Sequence, residues 1–231
     1  MQSFVHLHVH SQYSLLDGQA SIQRLVDKAI GDGMRGMALT DHGVMYGIKE
    51  FINYVTKKNA LLNAEIKKLE KKIEEAQKQN DSEKENKLQN QLADIQQKLF
   101  KPIIGCECYV SRRNRFSQND KIDSSGWHLV VLAKNFTGYK HLIKMVSKSW
   151  TEGFYYRPRI DKELLEQYHE GLIVLSACLG GEIPQKITEG QIEEAEEAAR
   201  WYKNLFGNDF YLELQRHKTD RTDADQTTYP K

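Results

Sequence analysis

Apolar and polar positions alternate at the start of the chain. Val5, Leu7 and Val9 interleave with His6, His8 and His10, a period of two that predicts a strand over Phe4–His10 with its imidazoles on one face. From residue 22 the period lengthens. Ile22, Leu25, Val26, Ala29 and Ile30 form one helical stripe, with Ser21 as N-cap and Gly33 as the stop. "GMALTDHG" predicts a short strand ending at Asp41 and His42, and Ile48, Phe51, Ile52 and Val55 mark a second helix. "KPIIGCECYV" and "HLVVLA" are the third and fourth strands. A helix is expected from Gly138 to Trp150, a loop at "YYRPRID" with Asp161 capping a short helix, and a fifth strand at "GLIVLSAC". Residues 191–206 predict another helix and "DFYLELQRH" a sixth strand. Alternating strands and helices imply an α/β architecture with a mainly parallel sheet, open or closed into a barrel.

Residues 59–99 interrupt the alternation. Leu62, Ile66, Leu69, Ile73 and Ala76 step by four and three, and so do Leu88, Leu92, Ile95 and Leu99. The pattern predicts an antiparallel helical hairpin over 60–99, inserted within the domain, with Ser82 and Glu85 as a capping box for its second helix. Its dense but nearly balanced charges describe a solvated face.

Composition narrows the function. With 39% hydrophobic and 28% charged residues, the 231-residue chain can bury a substantial core. A net charge of +1 argues against a strongly basic nucleic-acid surface, so any such contact is local. Cys106, Cys108 and Cys178 form no disulfide framework, no apolar run is long enough to span a membrane, and no signal peptide precedes the first strand. A cytoplasmic location follows as the expectation.

Ligand-type residues gather at predicted strand ends, where α/β folds place their sites. His8, His10 and Asp17 follow or close the first strand, and Asp41 and His42 close the second. Glu107 sits late in the third and Cys178 ends the fifth. His128 fits least well, because it begins its strand. Imidazole and thiolate favour zinc-like ions, and carboxylates can bridge two ions, the mixture used for phosphoryl displacement. Arg157 and Arg159 frame a proline, where a guanidinium fork could meet a phosphate or serve a structural ion pair. Arg112, Arg113 and Arg115 make one compact basic cluster.

"HLHVHSQYSLLDG", "LTDHG", "GCECYV", "WHLVVLAKNFTGY", "GFYYRPRID" and "LIVLSACLGGEIP" together resemble the PHP (polymerase and histidinol phosphatase) domain family. The resemblance is closest to the branch carried at the N-terminus of bacterial DNA polymerase III alpha subunits, and it covers nearly the whole chain except the hairpin. It implies a distorted seven-stranded TIM-like β/α barrel. It also implies two or three divalent ions (zinc, or manganese, iron or magnesium) held by His8, His10, Asp17, His42, Glu107, His128 and Cys178. His10, His42 and Glu107 would be catalytic, and Arg157, Arg159 and His217 would bind substrate. The family's last motif, an Asp-x-His, has no match, so the chain is expected to be a fragment cut within the domain.

The function implied is a metal-dependent phosphoesterase, a 3′→5′ exonuclease acting on the 3′ end of a DNA primer inside a replicative polymerase. Its partners would be DNA, the other polymerase domains and a separate proofreading subunit, with no membrane. The alternatives are a metal-stabilised structural or docking module, and a histidinol-phosphatase-like enzyme for small molecules.

Overall fold

The computed structural model describes residues 4–215. The chain divides into two compact units: one holds the residues up to Leu39 together with Tyr46–Ile103, the other Thr40–Met45 and the residues from Ile104 onward.

In the first unit, α1 (Ile22–Gly31) buries Ile22, Val26 and Ala29, and Ser21 accepts from the Arg24 N–H at its start. β1 (Gly36–Leu39) is buried throughout. It runs beside the start of β2 (Lys101–Val110), where Lys101 N donates to Arg35 O at 2.8 Å. α2 (Ile48–Lys58) packs on α1 and buries Ile48, Phe51 and Val55. The strand expected over Phe4–His10 is corrected. The backbone bends at Leu7 and His8, so the pleat is broken, although Ala38 N still donates to His6 O at 2.8 Å.

Two helices, α3 (Ala60–Lys78) and α4 (Ser82–Gln96), fill the charged stretch. They pack along the apolar seam, with Leu69, Ile73, Ala76 and Ile95 buried. The cap of α4 differs from the expectation: Asp81, not Ser82, accepts from Lys84 N, which makes Ser82 the first helical residue. A clasp closes the base of the pair. Asn59 Nδ2 donates to Phe100 O at 2.8 Å, and Phe100 N donates back to Asn59 Oδ1 at 3.1 Å. This seals the chain entry and exit independently of what lies between them. Deleting residues 62–98 and joining the ends by a short turn is therefore expected to leave a soluble chain with a single cooperative thermal transition. Aggregated product, or a broad transition, would show that the helices support the rest of the unit.

The second unit is built on a mixed sheet. β3 (Trp127–Ala133) pairs antiparallel with β2, Tyr109 opposite His128, and β6 (Leu172–Leu175) pairs antiparallel with β3. β5 (Arg157–Ile160) pairs parallel with β2 and antiparallel with β4 (Phe154–Tyr155), so the expected loop at "YYRPRID" contains a strand. β7 (Phe210–Tyr211) runs parallel to β6. The order is β4-β5-β2-β3-β6-β7, and among the described residues no pairing joins the two ends. The sheet is mixed, not mainly parallel: the β2–β3, β3–β6 and β4–β5 pairs are antiparallel and the β2–β5 and β6–β7 pairs parallel, with α5 (Phe136–Thr151) following β3.

Asn135 caps α5 and Asp161 caps α6 (Lys162–Tyr168), each accepting a backbone N–H three residues on. α7 (Glu182–Thr188) and α8 (Ile192–Phe206) complete the layer. One face of the sheet and these helices share a core of Cys106, Cys108, Val110, Leu129, Leu142 and Tyr202, among others. Each fully buried aliphatic side chain in it contributes about 1.5–3 kcal/mol. Cys106 is locked into that core: the Cys108 thiol beside it and burial hold its own thiol well above the usual range, so it is a packing residue. Side chains at alternate β2 positions leave the core and point to the other face, and these include Glu107 and Tyr109.

Candidate metal centre

Glu107 is only 1% exposed, and its carboxylate meets an imidazole on each oxygen. His42 Nδ1 lies 2.8 Å from Oε2, and His128 Nδ1 lies 2.8 Å from Oε1. The Cys178 thiol stands 3.5 Å from His128 Nδ1 and 3.8 Å from Glu107 Oε1. Four donor residues noted in the sequence, His42, Glu107, His128 and Cys178, thus meet within the second unit.

Backbone geometry delivers each of them. The loop carrying His42 continues the pairing on the edge of β2: Glu107 N donates to Asp41 O at 3.1 Å, and Gly43 N donates to Glu107 O at 2.9 Å. Gly43 sits at φ +63, and a Cβ there would come within 2.6 Å of Pro158 Cγ, so the turn requires glycine. His128 begins its strand, which counted against it in the sequence. Because β3 runs antiparallel to β2, however, its first residues lie beside the last residues of β2, at the same edge as the other donors. Cys178 follows Ala177, whose φ of 61 turns the chain sharply after β6. Gly180 O then accepts from His128 N at 2.9 Å, and a Cβ on Gly180 would stand 3.0 Å from the His128 ring.

The local field favours cations. Burial opposes charge on His128, but its contacts with Cys178 and Glu107 outweigh burial and push its pKa up to about 9. The negative charge that holds a proton on this imidazole would also favour a cation, which would displace that proton on ligation. The donor atoms of His42, Glu107 and His128 lie within 4.8 Å of one another, close enough to share one ion. Two imidazoles and a carboxylate, with a thiol adjacent, fit a zinc-like ion.

His8, His10 and Asp17 belong to the first unit. His10 Nδ1 lies 3.2 Å from Asp17 Oδ2, and the His8 and His10 rings meet edge-on with centroids 5.1 Å apart. Turns at Ser11–Gly18 fold Asp17 back toward His10: Ser14 N donates to Ser11 O, and Gly18 N donates to Ser14 O. His6 instead packs edge-on against Phe4.

The substrate-binding expectation is corrected at Arg159. Its side chain is fully buried, and its guanidinium donates to the carbonyls of Gly153, Asp123 and Arg115 at 3.0, 3.1 and 2.9 Å. Arg157 is exposed and lies over the Tyr109 ring, 5.6 Å from its centroid. His217 lies outside the described residues. The basic cluster is dispersed as well. Arg115 is buried against Asp161, Glu152 and Glu163, and Arg113 pairs with Asp123. Sequence reasoning missed Tyr109, which contacts two of the site's imidazoles; its place two residues beyond Glu107 on one strand was the available signal.

A match to the PHP domain family spans residues 6–217. The chain is 43% identical over 215 residues to the DNA polymerase III subunit alpha of Borreliella burgdorferi, covering 93% of this chain and 15% of that protein. It is 43% identical to the Treponema pallidum protein, covering 94% and 15%, and 35% identical to that of Thermus aquaticus, covering 93% and 15%. The chain therefore spans about a seventh of the length of the relatives it matches. Among the described residues no helix is long and apolar enough to cross a membrane. A buried carboxylate bracketed by two histidines and a cysteine, on an α/β scaffold matched along 6–217, places this chain in the PHP domain family.

Proposed function

We propose that the chain is the N-terminal PHP module of a replicative DNA polymerase alpha subunit, and that it hydrolyses phosphodiester bonds at DNA 3′ ends with the help of two or three divalent ions. The observation that carries this reading is the cluster around Glu107. Bound ions would lower the pKa of water and neutralise charge on the phosphodiester. His42, Glu107, His128 and Cys178 would hold them, and His8, His10 and Asp17 would supply the remaining donors that the family resemblance implies. Glu107 offers one oxygen to each side of its cluster, the arrangement of a bridging carboxylate. Arg157 reaches from the exposed surface over Tyr109 and would pair with a substrate phosphate. DNA, the remaining polymerase domains and a separate proofreading subunit are the proposed partners, and the TIM-like barrel is the proposed complete form of the fold.

The test uses the full-length polymerase that carries this domain. His10→Ala is expected to abolish release of 3′-terminal nucleotides from a primed template while polymerisation largely survives. Chelation followed by zinc or manganese addition should remove and restore that release in the unsubstituted protein. Release that persists in His10→Ala, with any second nuclease excluded, would overturn the enzyme reading and leave the structural module.

A further inference from the structure

The Tyr109 ring touches both imidazoles that bracket Glu107. It lies nearly parallel to His42, with centroids 5.8 Å apart and planes at 16°, and it meets His128 edge-on at 5.2 Å and 88°. The ring is itself confined, since Tyr109 is only 6% exposed. Arg157 covers it from outside at 5.6 Å. A Cβ on Gly43 would approach within 3.3 Å of Tyr109 Cε2, so the His42 loop runs close along its edge. β2 fixes the relation of ring and carboxylate, because Glu107 and Tyr109 are successive residues on one face of the same strand.

We propose that Tyr109 is a positioning residue of the metal centre, setting the planes of His42 and His128 so that their ring nitrogens converge on Glu107. This rests on the metal-binding reading above and extends it to a residue that offers no ligand atom in that scheme. The physical reason is rotational. A strand and a loop fix where each imidazole is attached but leave the ring free to turn about its terminal torsion, which is broad and roughly two-fold. Close contact with Glu107, 2.8 Å from each ring, restrains one nitrogen of each imidazole. A face-on neighbour for one ring and an edge-on neighbour for the other restrain the planes. Arg157, attracted to the outer face, keeps the tyrosine ring from swinging away.

The test is cobalt(II) binding to the chain, read as affinity and as the visible spectrum, which reports coordination geometry. Tyr109→Phe keeps both ring contacts and is expected to bind within about 3-fold of the unsubstituted chain, with the same bands. Tyr109→Leu removes them and is expected to bind about 10–100-fold more weakly, the loss typical of residues that orient a ligand, with shifted bands. If Tyr109→Leu does not fold, Tyr109→Met supplies the same flat-ring deletion at closer volume. Unchanged affinity and spectrum in a folded non-aromatic variant would overturn the inference, and so would an equal loss in Tyr109→Phe. Failure of the unsubstituted chain to bind cobalt, zinc or manganese at all would instead overturn the metal-binding reading on which the inference stands.

Discussion

Replacing Glu107 with glutamine is expected to remove at least one bound ion per chain and to weaken zinc binding by more than about 100-fold, since even partners that merely orient a ligand are worth about 10–100-fold. The substitution keeps the shape of the side chain and deletes its charge. Both imidazoles then lose their carboxylate at once, because His42 and His128 each sit 2.8 Å from one of its oxygens. Metal analysis after equilibration with zinc measures the first effect. Titration of the metal-free chain by NMR measures a second. With its Glu107 contact gone, His128 should titrate below its value near 9, burial now facing the Cys178 contact alone. Retention of full metal content would mean that Glu107 is a structural carboxylate between two histidines, and that the ions bind elsewhere or nowhere.

The second large effect is on stability. Arg159→Met should lower the stability of the chain by about 3–5 kcal/mol, because three buried carbonyls lose a charged donor together. For a chain of this size that corresponds to roughly a 10 °C fall in melting temperature. The three acceptors come from distinct segments, at Gly153, Asp123 and Arg115. The Arg115 they help to place is in turn buried against Asp161, which also caps α6. Arg157→Met is the control: two residues away and exposed, it should change the melting temperature by no more than about 2 °C. Equal melting temperatures for the Arg159 variant and the unsubstituted chain would show that water replaces the guanidinium without cost.

Much of the fold was legible because local rules and tertiary packing agree. The stripe of α1 with its Ser21 cap, the Asp161 cap of α6, and the apolar seam of α3 and α4 are set by spacings of three and four. The core strands β2, β3 and β6 announce themselves as apolar runs. Strand direction was not legible. Nothing in "HLVVLA" says that it runs against "KPIIGCECYV", and a pattern of alternating elements favoured a parallel sheet. The same reversed direction brings His128, at the start of β3, beside the end of β2 and so among the other donors. Arg157 and Arg159 are two residues apart in one motif, yet one is exposed and the other buried; two of the three carbonyls that the Arg159 guanidinium meets lie 36 and 44 residues away in the chain.

The amino-acid sequence by itself determined the donor inventory and the elements that carry it. Imidazoles, carboxylates and thiol are chemistry that a residue owns wherever it lies, and helical or strand periodicity is written in near neighbours. Only the tertiary structure decided which donors share a pocket within one unit, that Tyr109 lies against two of them, and that Arg159 serves the backbone. Those outcomes depend on distances between residues remote in the chain, fixed by sheet pairing and close packing, and no local spacing encodes them.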